Sequence, residues 1–377
     1  MTGEAVRTPS EAEWLRVTEF LNAERHGLAV RAAADYPPGL RVAGTPLLAP
    51  PAWRLPAPVP LERLRLEFRP AAPAPQAPDL AALAPYALPE RAGGGRYRRY
   101  TDVVAALTPP SVFENRPVYR LIEADLADQA NGPRLVFGRG RFFDGADAGG
   151  AAGHEYAAAR LGVTAGCPYR AALGGPVALG RRCAPVAASA LTLRHDKRTG
   201  TATFPLHYRA PGKVSHAGGL YQVIPVGVFQ PSGEAPWNEA NDFSLWRGLL
   251  REYAEELLGA DEDHGSERAP IDYGRWPLAK AMTDGLADGT VRAWCLGLGA
   301  DPLTFALDLL AVVVIDAPRY DDLFGDTVED NAEGRVIKPR LFDAPAVTAL
   351  LAGAPLQAAA AALLTLALAH RGTLLAG

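Results

Sequence analysis

Cysteine is scarce in this chain: there are three in 377 residues, Cys167, Cys183 and Cys295. None stands in CxxC spacing, so neither a zinc site nor a disulfide framework is indicated, and the three read as small buried apolar side chains. A surplus of positive charge is missing too. Lys and Arg number 38 against 42 Asp and Glu, a formal charge of −4, which argues against a protein whose main task is neutralising nucleic-acid phosphates. Long apolar runs are also lacking: the most apolar stretches, 303–315 and 358–369, fall short of the roughly 20 residues a membrane-spanning helix needs. The opening Met1-Thr2-Gly3-Glu4-Ala5-Val6-Arg7 has no apolar core of a secretory signal, so a cytoplasmic, reduced setting is expected and no membrane partner.

What is present is the balance of a folded globular chain, 48% hydrophobic and 21% charged. Its length suggests two domains. After Ser10-Glu11, the apolar Trp14, Leu15, Val17, Phe20 and Leu21 recur at helical spacing, which predicts one amphipathic helix running on through 27–34 and stopped at Tyr36-Pro37-Pro38-Gly39. Two proline-rich stretches, 48–60 and 70–89, read as covering loops or linkers, because proline cannot sustain a helix. Helices are expected at 100–107 and 148–161 and strands at 118–122 and 134–137. Gly174-Gly175-Pro176 and Gly180-Arg181-Arg182 punctuate the chain, and a boundary is set between 178 and 179. Residues 1–178 then form an N-terminal α/β accessory domain with Pro-rich linkers, and 179–377 a second domain with a C-terminal helix. In the second, 188–195 and 201–209 suit a hairpin, and 220–229 a strand interrupted by Pro225 and Gly227. A helix at 243–258, strands at 291–298 and 309–315, and closing helices at 342–351 and 355–375 complete it.

The helix at 243–258 carries the chemistry. Asn241-Asp242 would cap it, and Phe243, Trp246, Leu249, Leu250, Tyr253 and Leu257 form a buried stripe. Glu252 lies three residues before Glu255 and four before Glu256, so these side chains share one side. Three carboxylates crowded late in a helix, where the macrodipole disfavours negative charge, are tolerated if a hard divalent cation, Mg²⁺ or Mn²⁺, neutralises them. Arg251 is placed to pair with one of the glutamates. The plainer alternative is a solvated acidic face.

The segment Arg251-Glu252-Tyr253-Ala254-Glu255-Glu256-Leu257-Leu258-Gly259 resembles the R-E-U-x-E-E-x-G-U half of the Nudix box, where U is a bulky aliphatic residue. Upstream, Leu220 to Glu234 is similar to the strand, P-G-G turn and G-E loop that precede the helix in that family, and 333–351 to its closing segment. Pro225-Val226-Gly227 puts a valine in the place of the first glycine, and 235–242 reads as an inserted loop. The resemblance implies a Nudix-type α/β/α sandwich with a mixed sheet, following a mixed α/β N-terminal domain. It implies metal-dependent attack of water on a nucleoside diphosphate or other diphosphate-linked small molecule. The metal ligands would be Glu252, Glu255, Glu256 and the backbone of Val226. Glu255, Glu256 and Arg251 would serve catalysis, with Glu333, or less readily Glu329 or Asp330, as a further carboxylate.

Trp237 and Phe243 beside the inserted loop are candidates to stack on a ring of the ligand, with core packing the plainer role for Phe243. Arg116 and Arg120, near Glu114 and Asn115, would either bind an anionic group or tie a loop to a strand. His154-Glu155 is not HExxH, since position 158 is Ala158. Gly138-Arg139-Gly140-Arg141 lacks phosphate-loop spacing, His195, His207 and His216 have no triad spacing, and Ser215, His216 and Asp196 make no nucleophile motif.

The whole chain, including Arg41-Val42-Ala43-Gly44-Thr45-Pro46 and Glu114-Asn115-Arg116-Pro117, also resembles bacterial proteins often labelled helix-turn-helix transcriptional regulators. The residues before Tyr36 supply at most two helices, and no basic recognition helix is visible. Three readings follow: a metal-dependent hydrolase, a catalytically silent ligand sensor or regulator, and a biosynthetic enzyme using the pocket for other chemistry. In each the partner is a phosphate-bearing small molecule, with a homodimer left open.

Overall fold

The computed structural model describes residues 7–128, 130–209, 218–260, 264–325 and 334–376. The chain opens with α1 (Pro9–Ala23) and α2 (Arg25–Ala34). The expected single helix is two, because Glu24 (φ −103°, ψ 13°) leaves the helical region and its amide closes α1 on the Phe20 carbonyl. The start of α1 is capped by Thr8. Its hydroxyl accepts the Glu11 amide at 3.1 Å while the Glu11 carboxylate accepts the Thr8 amide at 2.8 Å, a reciprocal box that satisfies both groups.

The proline-rich 48–60 stretch, expected as a loop, contains β1 (Arg54–Pro60), the edge strand of the larger sheet. One side of an edge strand has no ladder, so the N–H groups missing at Pro56, Pro58 and Pro60 are tolerated there. Next come β2 (Arg65–Phe68), α3 (Leu80–Leu83), α4 (Tyr100–Leu107), β3 (Pro117–Asp125), β4 (Arg134–Arg141), α5 (Phe142–Arg160) and α6 (Pro168–Leu173). Strands β2, β4 and β3 make a three-stranded sheet in that order, parallel between β2 and β4 and antiparallel between β4 and β3.

Then follow β5 (Val186–Asp196), β6 (Thr201–Arg209), β7 (Tyr221–Gln222), β8 (Val226–Val228), α7 (Pro236–Asn241), α8 (Leu245–Leu258) and α9 (Pro277–Asp288). The chain closes through β9 (Val291–Ala300), β10 (Leu307–Asp316), α10 (Ala317–Phe324), β11 (Gly334–Leu341), α11 (Ala344–Gly353), α12 (Ala358–Ala369) and α13 (Arg371–Leu375). The fold is α/β with a mixed sheet, as expected. The larger sheet has eight strands in the order β1-β9-β10-β5-β6-β11, with β7 paired to β6 and β8 to β5. Strands β10 and β5 run parallel along their length. The run from Leu307 to Ile315 is buried throughout, as befits a strand covered on both faces. One apolar core takes Leu47, Trp53 and Leu135 from before residue 178 together with Val312 and Leu363 from after it. The expected boundary is therefore crossed both by β1 and by a common core. No helix among the described residues is long and apolar enough to cross a membrane.

One irregularity positions the site. β5 pairs with β6 only from Arg194 to Asp196, against Thr201 to Thr203; nearer its start it pairs with β8 instead, Ala187 to Ser189 against Val226 to Val228. The two long strands thus fork, β7 lining one prong and β8 the other. Helix α8 is tied to the β5 prong through Tyr253, whose hydroxyl lies 2.6 Å from that of Thr192 on β5, while Thr192 donates to the Ile224 carbonyl at 2.7 Å. Tyr253→Phe removes one buried hydroxyl contact and leaves the Thr192–Ile224 bond, so unfolding free energy should fall by about 1 kcal/mol. A urea titration reads this directly, and an unchanged midpoint would show that the bridge contributes nothing.

Candidate functional site

Helix α8 begins two residues later than expected, at Leu245 instead of Phe243. Ser244 is its N-cap, its hydroxyl accepting the Arg247 amide at 3.4 Å, and Gly259 (φ 67°) ends it in the left-handed region. Leu245, Leu249, Leu250, Tyr253 and Leu257 form the buried stripe. Phe243 packs against Tyr119 and Phe229, with ring centroids 5.0 and 5.6 Å away, so its role is in the core.

Released from capping, Asp242 is fully buried. It accepts the amide and hydroxyl of Ser232 at 2.8 and 2.6 Å and the Tyr273 hydroxyl at 2.8 Å. Arg251 points at this group and not at a glutamate as expected. It lies 3.4 Å from Asp242 and donates to the Tyr273 hydroxyl at 2.7 Å and the Gln230 carbonyl at 2.6 Å. A buried guanidinium requires a buried, hydrogen-bonded partner, and Asp242 is that partner. Arg251 therefore positions the loop after β8.

The three glutamates face one cavity of about 920 Å³, which Val226, Gly227 and Gln230 also line. Glu256 is buried; its Oε1 accepts the Val226 amide at 2.8 Å and its Oε2 lies 3.6 Å from His207 Nδ1. Flanking bonds from Ala190 to Pro225 and from Phe229 to Val186 mean, by antiparallel alternation, that the amide and carbonyl of Val226 both turn away from β5. The Val226 N–H is thus given to Glu256. Glu255 Oε1 lies 3.3 Å from His264 Nε2, and the His264 ring packs against Trp276 at 5.0 Å. Glu252 rests on the backbone of Gly227, where a Cβ would sit 1.7 Å from the glutamate Cδ. Only glycine allows that approach.

The rest of the wall comes from the N-terminal half: Trp14, Asn22 and Arg25 of α1 and α2, Tyr100 of α4, Arg116, and Phe142 of α5. Among the described residues, no group of three or more His, Cys, Asp or Glu side chains is arranged to hold a metal ion. The carboxylates share a cavity without closing into a ready-made cage. Mg²⁺ is ordinarily held by one or two carboxylates with waters and substrate phosphates, and Glu252 and Glu255, three apart on α8, are the carboxylates that could contribute to such a set.

Other expected site residues are dispersed. Arg116 lines the cavity, and its Nε donates to Glu114 at 2.8 Å. Arg120 is buried and donates to the carbonyls of Arg139, Ala72 and Pro73, so it ties loop to strand and binds no ligand in this cavity. Trp237 on α7 is 42% exposed, does not line the cavity, and donates to the Ser266 carbonyl at 3.0 Å. Glu333, Glu329, Asp330, Ser215 and His216 lie outside the described residues. His154 is packed parallel to Trp14 at 5.1 Å, and burial pushes its pKa down to about 3.

Sequence reasoning missed Asp308. It lines the same cavity from β10, 1% exposed, and burial pushes its carboxyl up to about 7, against the pull of the Ser189 hydroxyl at 2.7 Å. The signal was an aspartate inside the apolar run Leu307-Asp308-Leu309-Leu310. The chain matches no family model and no curated protein.

Two outcomes are expected. Gly227→Ala forces Glu252 off its seat, an overpacking that costs about 1–3 kcal/mol and is measurable by thermal unfolding; wild-type stability would refute the contact. Asp308 binds its proton more tightly when folded than unfolded, where its pKa is about 3.9. Its folded-state advantage is therefore whole below pH ~4 and is lost as pH rises towards 7. Asp308→Asn, which keeps an acceptor for Ser189, should gain on wild type between pH 5 and 7 by up to about 1.4 kcal/mol per pH unit. Urea titrations at both pH values giving the same difference would exclude that titration.

Proposed function

We propose that this protein is a Nudix-type hydrolase that cleaves a diphosphate-linked small molecule with the help of Mg²⁺ or Mn²⁺. The observation carrying this reading is that Glu252, Glu255 and Glu256 of α8 and Val226 and Gly227 of β8 face a single cavity large enough for such a molecule. A helix with this R-E-x-x-E-E pattern lying on a strand with this P-x-G pattern, beside a mixed sheet, supports it further.

When bound, the metal would screen the diphosphate charge and stabilise what develops at phosphorus. Glu252 and Glu255 would hold it. Glu256 fixes β8 to α8 through the Val226 amide, and Arg251 with Asp242 fixes the loop at Gln230 and Ser232. The α1, α2, α4 and α5 walls limit water around the ligand. In the reaction the water oxygen bonds to phosphorus, the bridging P–O bond breaks, and one water proton is released. A cytoplasmic setting, where the three free thiols stay reduced, belongs to the same reading.

A second reading, a ligand sensor without turnover, is favoured by one feature: Glu255 and Glu256 each face a histidine, His264 and His207. Nucleoside diphosphate sugars, dinucleotides and prenyl diphosphates, each with Mg²⁺ or Mn²⁺, separate the two when phosphate-containing products are followed. Metal-dependent turnover is expected for one class, lost by roughly 100-fold or more in the Glu255→Gln, Glu256→Gln double variant and in Glu252→Gln. Turnover that survives both would refute the assignment; binding without turnover in wild type would establish the sensor.

A further inference from the structure

A second cavity, of about 320 Å³, lies against the proline-rich stretch 70–89. Ala74, Pro75, Ala77 and Pro78 form one wall, and α3, β3, β4, α5 and α6 contribute the rest. Five arginines line it, Arg98, Arg99, Arg120, Arg139 and Arg182, against two acids, Asp144 and Asp147. The volume admits a small organic molecule, and the charge balance says which kind.

The acids are already engaged. Arg99 takes both, donating to Asp144 at 2.7 Å and to Asp147 at 2.6 Å, and Arg139 lies on Glu239 at 2.6 and 2.8 Å. Arg120 and Arg182 are 5% and 2% exposed, and neither has a carboxylate partner among the described residues. Arg120 donates from Nε to the Arg139 carbonyl and from Nη2 to those of Ala72 and Pro73. Its Nη1 takes no hydrogen-bond partner among the described residues and keeps open surface. Arg182 gives its two terminal nitrogens to the carbonyls of Ala178, Pro176 and Phe305 and lies 5.6 Å from the centre of the Phe305 ring. Burial pulls its pKa down to about 10. Carbonyls and a ring face orient a guanidinium without cancelling its charge, and a buried charge left so is costly.

The two arginines come together around Cys183. A Cβ on Gly140 would lie 3.2 Å from the Arg120 Cβ and 2.7 Å from Cys183 Sγ. Burial pushes the Cys183 thiol up to about 11, Asp144 adds to that rise, and both Arg120 and Arg182 oppose it. Tyr169 of α6 lines the same space at 3% exposure, and its hydroxyl has no hydrogen-bond partner among the described residues. Burial raises its pKa, as does the charge of Asp147, so the hydroxyl stays a donor. An uncharged ligand would leave the two arginine charges as they are, and a cation would be repelled by them. An oxyanion answers both guanidiniums and accepts from the phenol.

We propose that this cavity binds a small organic anion, its phosphate or carboxylate head held by Arg120, Arg182 and the Tyr169 hydroxyl and its body lying on Leu80, Pro75 and Pro78. The proline-rich stretch is then part of a binding site and is fastened in place: the Gln76 amide bonds to the Gly180 carbonyl at 3.3 Å, and the Pro73 carbonyl accepts from Arg120. None of the α8 glutamates lines this cavity, so the site needs neither metal nor diphosphate and does not rest on the hydrolase reading. Tyr100, Arg182 and Cys183 line both cavities and stand between the two ligands.

Calorimetry on the full chain in EDTA tests it with phenyl phosphate and benzoate, which differ in the anionic head, and with benzyl alcohol, which carries the ring without charge. At least one anion is expected to bind, which tells phosphate from carboxylate, and benzyl alcohol is not. Affinity should fall at least about tenfold in Arg120→Met, which removes the charge. The same loss is expected in Ala77→Glu, which sets a carboxylate at an exposed position of the wall. Glu255→Gln should bind as wild type. Failure of both anions at millimolar concentration, equal binding of benzyl alcohol, wild-type affinity in either folded variant, or loss in Glu255→Gln overturns the proposal. Circular dichroism checks folding, and if Arg120→Met does not fold, Ala77→Glu decides. Anion binding without metal-dependent turnover of any diphosphate would end the hydrolase reading and leave this site standing.

Discussion

The site depends on how closely α8 approaches β8. Glu252 lies over Gly227 at a distance no Cβ permits, and Glu256 takes the amide that Val226 turns away from β5. Both contacts require the fork between β5 and β6, because a continuous ladder there would leave no separate β8 edge to offer. Tyr253 in turn holds α8 to Thr192 on the β5 prong. A carboxylate helix, a glycine and a forked sheet thus form one mechanical unit, and the direction in which the glutamates point follows from it.

A second constraint is electrostatic. Arg251 and Asp242 are both buried, and neither is tolerable there without the other. Their pairing draws in Tyr273, Ser232 and the Gln230 carbonyl, so the loop leaving β8 is tied at two points. This explains why Arg251, adjacent in sequence to the glutamates, is bonded to Asp242, Tyr273 and the Gln230 carbonyl. Turning inward, Arg251 fixes the loop instead of a neighbouring glutamate.

Much of the architecture is legible locally. The helix at Tyr100–Leu107 and the strand at Thr201–Arg209 fall where the sequence pattern puts them, and α8 ends at Leu258 as expected, with Gly259 in the left-handed region. The glutamate trio was readable because i, i+3 and i+4 spacing puts side chains on one side. What escaped was decided by partners distant in the chain. β1 is a strand because β9 offers it an edge, although its prolines read as loop. Asp242 looks like a helix cap until Arg251 claims it. Trp237 and Arg120 had suitable chemistry and the wrong neighbours, a Ser266 carbonyl and three loop carbonyls.

The division of labour between the two halves follows from the same reasoning. The proline-rich stretches of the N-terminal half read as a cover and no more. Yet α1 and α2 bring Trp14 and Arg25 to the cavity wall, and the capping box at Thr8 and the break at Glu24 set the pitch at which they arrive. The small side chains of α5, Gly149 beside the Thr304 carbonyl and Gly150 beside Tyr100, let that layer close against the sheet; a methyl at either would come within 2.5 Å. The N-terminal half is thus built to close packing tolerances and supplies part of the cavity wall.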